Sequence, residues 1–212
     1  MSYSIVLAGQ SRSFPEPHDF LKNAVKDADV VFVLGTDVDS VLPGLEKKKA
    51  VVVELGNECL GVHTGESRGN EGSHVLGFAR FRLGDAPPTN LVELVRQPKS
   101  DATAIAAARQ ALESAGLGVA VCNDFPGRIV NRLLRPYLNA ALRRLDEGLA
   151  TADDMDTTLR LGLGYPEGPI ALLDRTGVAA HYEVTQALYE ALGDPAYSPA
   201  RRAQVAFQRK NK

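Results

Sequence analysis

Tryptophan is absent from this sequence, cysteine and methionine occur twice each, and no apolar run approaches the ~20 residues that a membrane span requires. Those scarcities exclude whole classes. Cys59 and Cys122 stand far apart and form no C-x-x-C pair, so neither a disulfide framework nor a paired-thiol redox motif is encoded. Two scattered thiols fit a reducing compartment, and the expectation is a cytoplasmic protein. Charge of one sign is lacking too. Lys and Arg total 24 against 26 Asp and Glu, which gives no reason to expect a nucleic-acid partner. No metal-ligand spacing stands out. The opening "MSYSIVLAGQ" has no basic n-region or small-residue cleavage site and reads as mature chain. What remains is a chain of 212 residues, long enough to bury a core without staples.

The first half carries short β-branched runs. "SIVLA" (4–8), "DVVFVL" (29–34), "AVVVEL" (50–55), "HVLGFARF" (74–81), "LVELV" (91–95) and "GVAVC" (118–122) are the predicted strands. Between the first two, "EPHDFLKNAVKDA" places Phe20, Leu21, Val25 and Ala28 at helical spacing. "GTDVDS" (35–40) reads as a helix start. "SDATAIAAARQALESAG" (100–116) reads as a full helix, capped by Ser100 and ended by Gly116. Continuous apolar strands alternating with helices predict a mostly parallel sheet covered on both faces.

Beyond Val121 the period changes. Residues 126–192 hold helical spacing broken by glycine and proline, with a stop expected at Gly148 and a capped start at Thr151 with Asp154. The expected organisation is an α/β domain over 1–122, a helical domain over 123–200, and a basic, frayed tail over 201–212. The helices at 129–145 and 170–192, with Val178, Val184, Leu188 and Leu192, carry more apolar surface than so small a domain hides. A homodimer through this domain is expected.

One stretch resists its own propensity. "DFPGRIVNRLLRPYLNAA" (124–141) is an apolar helix that nevertheless holds Asn131 and an interior Pro136. Steps of four align Asn131, Arg135 and Asn139 in one polar stripe. Pro136 cannot donate to the carbonyl of Arg132, which leaves a gap in the helix ladder. Either Asn131 satisfies the turn before it, or its amide is presented to a ligand or a catalytic side chain.

The longer segment "NDFPGRIVNRLLRPYLNAALRRLDEG", followed by "MDTTLRLGLGYPEGPIALLDRTG", resembles the C-terminal domain of the 3-hydroxyacyl-CoA dehydrogenases. That family carries D-x-P-G-F-x-x-N-R-L-x-x-P-Y-x-N-E-A and then G-x-P-x-G-P-x-x-L-x-D-x-x-G. "NLVELVRQPKSD" matches its K-L-V-E-V-V stretch, and the resemblance runs from about Gly77 to Pro199. It implies a Rossmann-like α/β domain followed by an all-α domain of the 6-phosphogluconate dehydrogenase C-terminal-like kind. It also implies NAD, an acyl-CoA of fatty-acid (β-oxidation) or aromatic-acid metabolism, and dimerisation. Asn131 falls on the family's active-site asparagine, Glu93 on its glutamate, Asn57 on the asparagine of N-T-S-S, and Cys59 on a serine of that motif.

The acid/base histidine of H-F-F-N-P does not survive. "GFARFRLGDAPP" stands there, with Ala79 at its position when aligned on Gly77 and Phe81 when counted back from Glu93. Arg128 replaces the phenylalanine of P-G-F, either as a CoA-phosphate contact or as a solvated turn residue. Dinucleotide binding needs closely spaced glycines before a helix and an acidic residue after the next strand. Here Gly9 is followed by Ser11, Phe14 and Pro15, with about twenty residues to the next strand, and the cofactor site is expected to be degenerate. The segment is similar to the degenerate second copy in long family members. Three readings follow: a homologue that has lost NAD and its base but keeps acyl-CoA binding near Asn131, Asn57 and Glu93, between the two domains; an active oxidoreductase with His74 or His63 as base; or a structural partner of a full-length dehydrogenase.

Overall fold

Each β-branched run becomes a strand. In chain order the first elements are β1 (Ser4–Leu7), α1 (Asp19–Lys22), β2 (Val30–Leu34), β3 (Ala50–Glu54) and α2 (Gly61–Thr64). Then come β4 (Val75–Arg80), β5 (Leu91–Arg96), α3 (Ala102–Ser114) and β6 (Gly118–Asn123). In this computed structural model, which describes residues 1–212, the chain divides into two units: Met1–Phe81 with Pro88–Arg128, and Arg82–Pro87 with Ile129–Lys212.

The first unit is one sheet whose spatial order is β1-β2-β3-β4-β5-β6. Every neighbouring pair is parallel except β4–β5. That pair is joined by a loop rather than a crossover helix, and Phe81 and Leu91 close it with a 2.8 Å backbone hydrogen bond. All five residues of β2 are buried, as a doubly covered strand requires. Strand alternation sends Val30, Phe32 and Leu34 to a face packed with Tyr3, Phe14, Phe20, Phe78 and the alanines of α3. Val31 and Val33 go to the other face, with Val51, Val53, Leu60 and Val95.

Three local expectations are corrected here. The helix read over 16–28 shrinks to the single turn of α1, because Val25 instead donates to the carbonyl of Tyr3 and bridges Ser4 at the sheet edge. "GTDVDS" starts no helix, and only a 3-10 turn at Leu42–Gly44 follows it. Helix α3 is capped by Asp101, whose carboxylate accepts from Thr103 N at 2.7 Å, while Ser100 Oγ accepts from Gln97 N.

The second unit is helical: α4 (Val130–Asp146), α5 (Ala152–Leu163), α6 (Pro169–Thr176), α7 (Val178–Leu192) and α8 (Arg201–Lys210). Thr151 Oγ1 accepts from Asp154 N and caps α5, which ends on the left-handed Gly164. At the next turn the Asp156 carboxylate accepts from Ile170 N and Ala171 N, both at 2.9 Å, capping α6. Gly168 is required there, since a Cβ would lie 2.3 Å from Asp156. The segment expected to fray is helix α8, anchored by buried Ala203, by Phe207 stacked on Tyr182, and by ion pairs from Arg201 and Arg202 to Asp146. Leu188, expected on a second buried face, is buried within the unit. No helix is long and apolar enough to cross a membrane.

Candidate functional site

The turn after β1 is where a dinucleotide would be sought. Gly9 is exposed with φ +118°, as the turn demands. Two backbone N–H groups and one hydroxyl near it are already engaged. Buried Glu54, at the end of β3, accepts from Ser13 N at 2.5 Å and Ser11 Oγ at 3.1 Å on one oxygen, and from Gly35 N at 2.9 Å on the other. Gly35 also packs so tightly on the end of β1 that a Cβ would meet Ala8 at 2.5 Å. A diphosphate seats on the free N–H groups of a full helix start, in the crevice where strand order reverses. In this sheet the order runs sequentially and α1 is one turn long. A one-turn helix and a sequential strand order are what these residues offer a diphosphate.

Glu93, on β5, is 2% exposed. Its partner across the antiparallel pair is Ala79, so their side chains share one face. The residue opposite the carboxylate in this register is Ala79, not Phe81. Arg128, 9% exposed, is neither solvated nor at the surface. It has φ +51°, places Nε 3.5 Å from Glu93 Oε2, and donates from Nη2 to the carbonyl of Gly56 at 2.5 Å. A guanidinium thus lies beside the carboxylate.

Asp124 accepts from Leu60 N and Gly61 N at 2.7 and 2.8 Å. Cys59 lies next to it, in a cleft of about 650 Å³ shared with Glu66, Arg96, Gln97 and Asn123. Burial, reinforced by the Asp124 carboxylate, pushes the Cys59 thiol up to about 11, and it stays protonated and non-nucleophilic at neutral pH. Asn57 is exposed. His63 is held at Nδ1 by Asp39 at 2.7 Å, with Glu58 3.8 Å from Nε2. His74 precedes β4, five residues and roughly 16 Å from Ala79 along the strand.

In the helical unit the polar stripe is a hydrogen-bond chain between α4 and α7. Arg135, 1% exposed, donates from Nε to Asn131 Oδ1 at 3.0 Å and from Nη1 to His181 Nδ1 at 2.9 Å. His181 Nε2 donates to Asn139 Oδ1 at 3.0 Å. Asn139 Nδ2 donates to Thr185 Oγ1 at 2.7 Å, and Thr185 donates to the carbonyl of Tyr197 at 2.8 Å. Burial, and then the Arg135 charge, depress His181 to about 3, so its imidazole is neutral. Burial lowers Arg135 to about 10, still protonated at neutral pH. The gap left by Pro136 is closed as well: Tyr197 Oη donates to the carbonyl of Arg132 at 3.2 Å.

The 3-hydroxyacyl-CoA dehydrogenase C-terminal domain model matches residues 127–211. A 3-hydroxybutyryl-CoA dehydrogenase from Bradyrhizobium diazoefficiens is 36% identical over 117 residues, 55% of this chain and 40% of that one. The mitochondrial hydroxyacyl-coenzyme A dehydrogenase of Homo sapiens is 40% identical over 92 residues, 43% of this chain and 29% of that one. A crystal structure of (S)-3-hydroxybutyryl-CoA dehydrogenase from Ralstonia eutropha is similar at a TM-score of 0.70 and 25% identity, over 86% of this chain and 66% of that chain. Residues 127–211 thus match the 3-hydroxyacyl-CoA dehydrogenase C-terminal domain, and the chain is similar to enzymes of that family. It spans less than half the length of these curated relatives.

Within this 3-hydroxyacyl-CoA dehydrogenase homologue, Gly9, Asn57, Cys59 and Glu93 lie in the first unit and Asn131 in the second. Sequence reasoning missed Glu54, His181 and Thr185, and misjudged Arg128. For two of these a signal was present. His181 and Thr185 stand four apart on α7, the same spacing as the stripe on α4 that they complete. Glu54 and Arg128 bond residues 41 and 72 positions away, which no local pattern records.

Proposed function

We propose that this chain is a 3-hydroxyacyl-CoA dehydrogenase homologue of acyl-CoA metabolism that binds an acyl-CoA without performing hydride transfer. The observation that carries this reading is the register pairing of Glu93 with Ala79: the orienting carboxylate is present, and its cross-strand neighbour offers a methyl group where proton exchange needs an imidazole. The Arg128 guanidinium beside Glu93 supports it, since a guanidinium cannot serve as a base. Glu54 supports it from the cofactor side by placing a carboxylate on Ser13 N and Gly35 N, beside the turn where a diphosphate would be sought. Asn131 remains suited to its family task, its amide hydrogen-bonding an oxygen of the bound acyl thioester.

The same reading includes a homodimer through the helical unit. Its support is α5, which buries none of its residues within the chain, together with exposed Leu133, Leu149, Leu161 and Leu163. An apolar groove of about 310 Å³ lined by Tyr137, Leu149, Met155 and Leu159 adds to that surface.

Two titrations test the function. Fluorescence titration with NADH is expected to give no saturable binding in the micromolar range. Calorimetry with acetoacetyl-CoA is expected to give binding that Asn131→Ala weakens at least tenfold. Saturable micromolar NADH binding would overturn the loss of the cofactor site, and unchanged affinity in Asn131→Ala would overturn the role of that amide.

A further inference from the structure

The helical unit contains a full positive charge with no counter-ion. Arg135 is 1% exposed and takes part in no ion pair; its guanidinium faces the oxygen of Asn131 and the ring nitrogen of His181. For stability alone this is a poor choice, because burying an unpaired cation costs far more than burying a leucine or methionine of similar volume. What the charge does accomplish is direction. Arginine has five donors and no acceptor, so every group it meets must turn an acceptor toward it. Asn131 must therefore present Oδ1 to Arg135, which leaves its NH2 as the unclaimed end. His181 must present a bare Nδ1, which places its proton on Nε2 and obliges Asn139 to present Oδ1 in turn. Asn139 then donates to Thr185, and Thr185 to the carbonyl of Tyr197, where the chain ends on a fixed backbone acceptor. Each bond has one allowed sense. Reversing the Asn131 amide would set an NH2 against a donor-only guanidinium.

From this we infer that Arg135 is a positioning residue: it fixes the Asn131 amide so that its NH2 faces the ligand, and so selects a ligand oxygen that accepts hydrogen bonds, such as a thioester or 3-oxo carbonyl. The inference rests on the reading of Asn131 as the ligand-facing amide. The chain through His181, Asn139 and Thr185 holds the guanidinium in turn, because Nη1 and Nε lie on one rigid plane and satisfying both acceptors fixes that plane.

The test compares Arg135→Met with Asn131→Ala and the double variant, using acetoacetyl-CoA as probe. Arg135→Met is expected to stay folded, to bind at least tenfold more weakly than the unmodified chain, and to have no further effect in the Asn131→Ala background. A ligand-free readout accompanies it. The side-chain NH2 of Asn131, assigned by its loss in Asn131→Ala, is expected as a sharp, dispersed pair in the 15N-correlated NMR spectrum, collapsing toward the average amide position in Arg135→Met. If Arg135→Met fails to fold, Arg135→Lys replaces it, keeping the charge but losing the Nε donor. Affinity within twofold of the unmodified chain while Asn131→Ala abolishes binding would overturn the role of Arg135 alone. An unchanged NH2 pair would overturn it without any ligand. Absence of binding by the unmodified chain would instead refute the underlying reading of Asn131, and the NH2 pair would still decide whether Arg135 orients it.

Discussion

Arg128 shows what one residue in a turn can hide. As text, an arginine after Pro-Gly reads as a solvated helix start, and only the fold reveals it 3.5 Å from a carboxylate 35 positions earlier in the chain. Its positive φ follows Gly127, itself left-handed, so two consecutive residues curl to turn the side chain inward. Removing one partner from a buried ion pair is costly because the other charge stays desolvated. Arg128→Met is therefore expected to destabilise the protein by about 3 kcal/mol in urea unfolding, and adding Glu93→Gln to recover much of that. A cost equal to that of an average surface substitution would mean that the pair carries no weight. The strand that carries Glu93 was legible as a local pattern, and Glu93 was singled out on it by the family resemblance. Its partner was not legible, because the pairing is long-range.

Among the elements, α4 was read well and α1 poorly, for the same physical reason. The stretch 129–145 repeats its apolar spacing over four turns, so its own periodicity defines it; Val130–Asp146 is the helix found. The stretch 16–28 repeats too briefly, and backbone groups at a sheet edge claimed Val25 instead. Even in α4 the remedy for Pro136 lay elsewhere, in the Tyr197 hydroxyl that donates to the carbonyl of Arg132. This makes a coupled prediction. Tyr197→Phe is expected to cost about 1 kcal/mol in the native background, and clearly less once Pro136→Ala returns a backbone donor to that carbonyl. Equal costs in both backgrounds, measured by chemical denaturation, would show that the hydroxyl does not serve the helix gap.

At the scale of the whole molecule, the change of hydrophobic period near residue 122 announces a helical region, while the helical unit itself starts at Ile129 and also takes in Arg82–Pro87, which no periodicity marks. The surface left uncovered was harder to read. Leu188, read as part of a second buried face, is buried, while Leu161 is 82% exposed on a helix with no fully buried residue. Light scattering at micromolar concentration is expected to give twice the 22.7 kDa chain mass, and Leu161→Asp to return the single-chain value. A single-chain mass for the unmodified protein would contradict the association proposed here. The strictly sequential strand order bears on how the protein forms. Each strand pairs with the one made just before it, so no early segment waits exposed for a distant late partner. The sheet can zipper from its amino end as the nascent chain leaves the ribosome, with few unpaired edges on offer to other chains along the way.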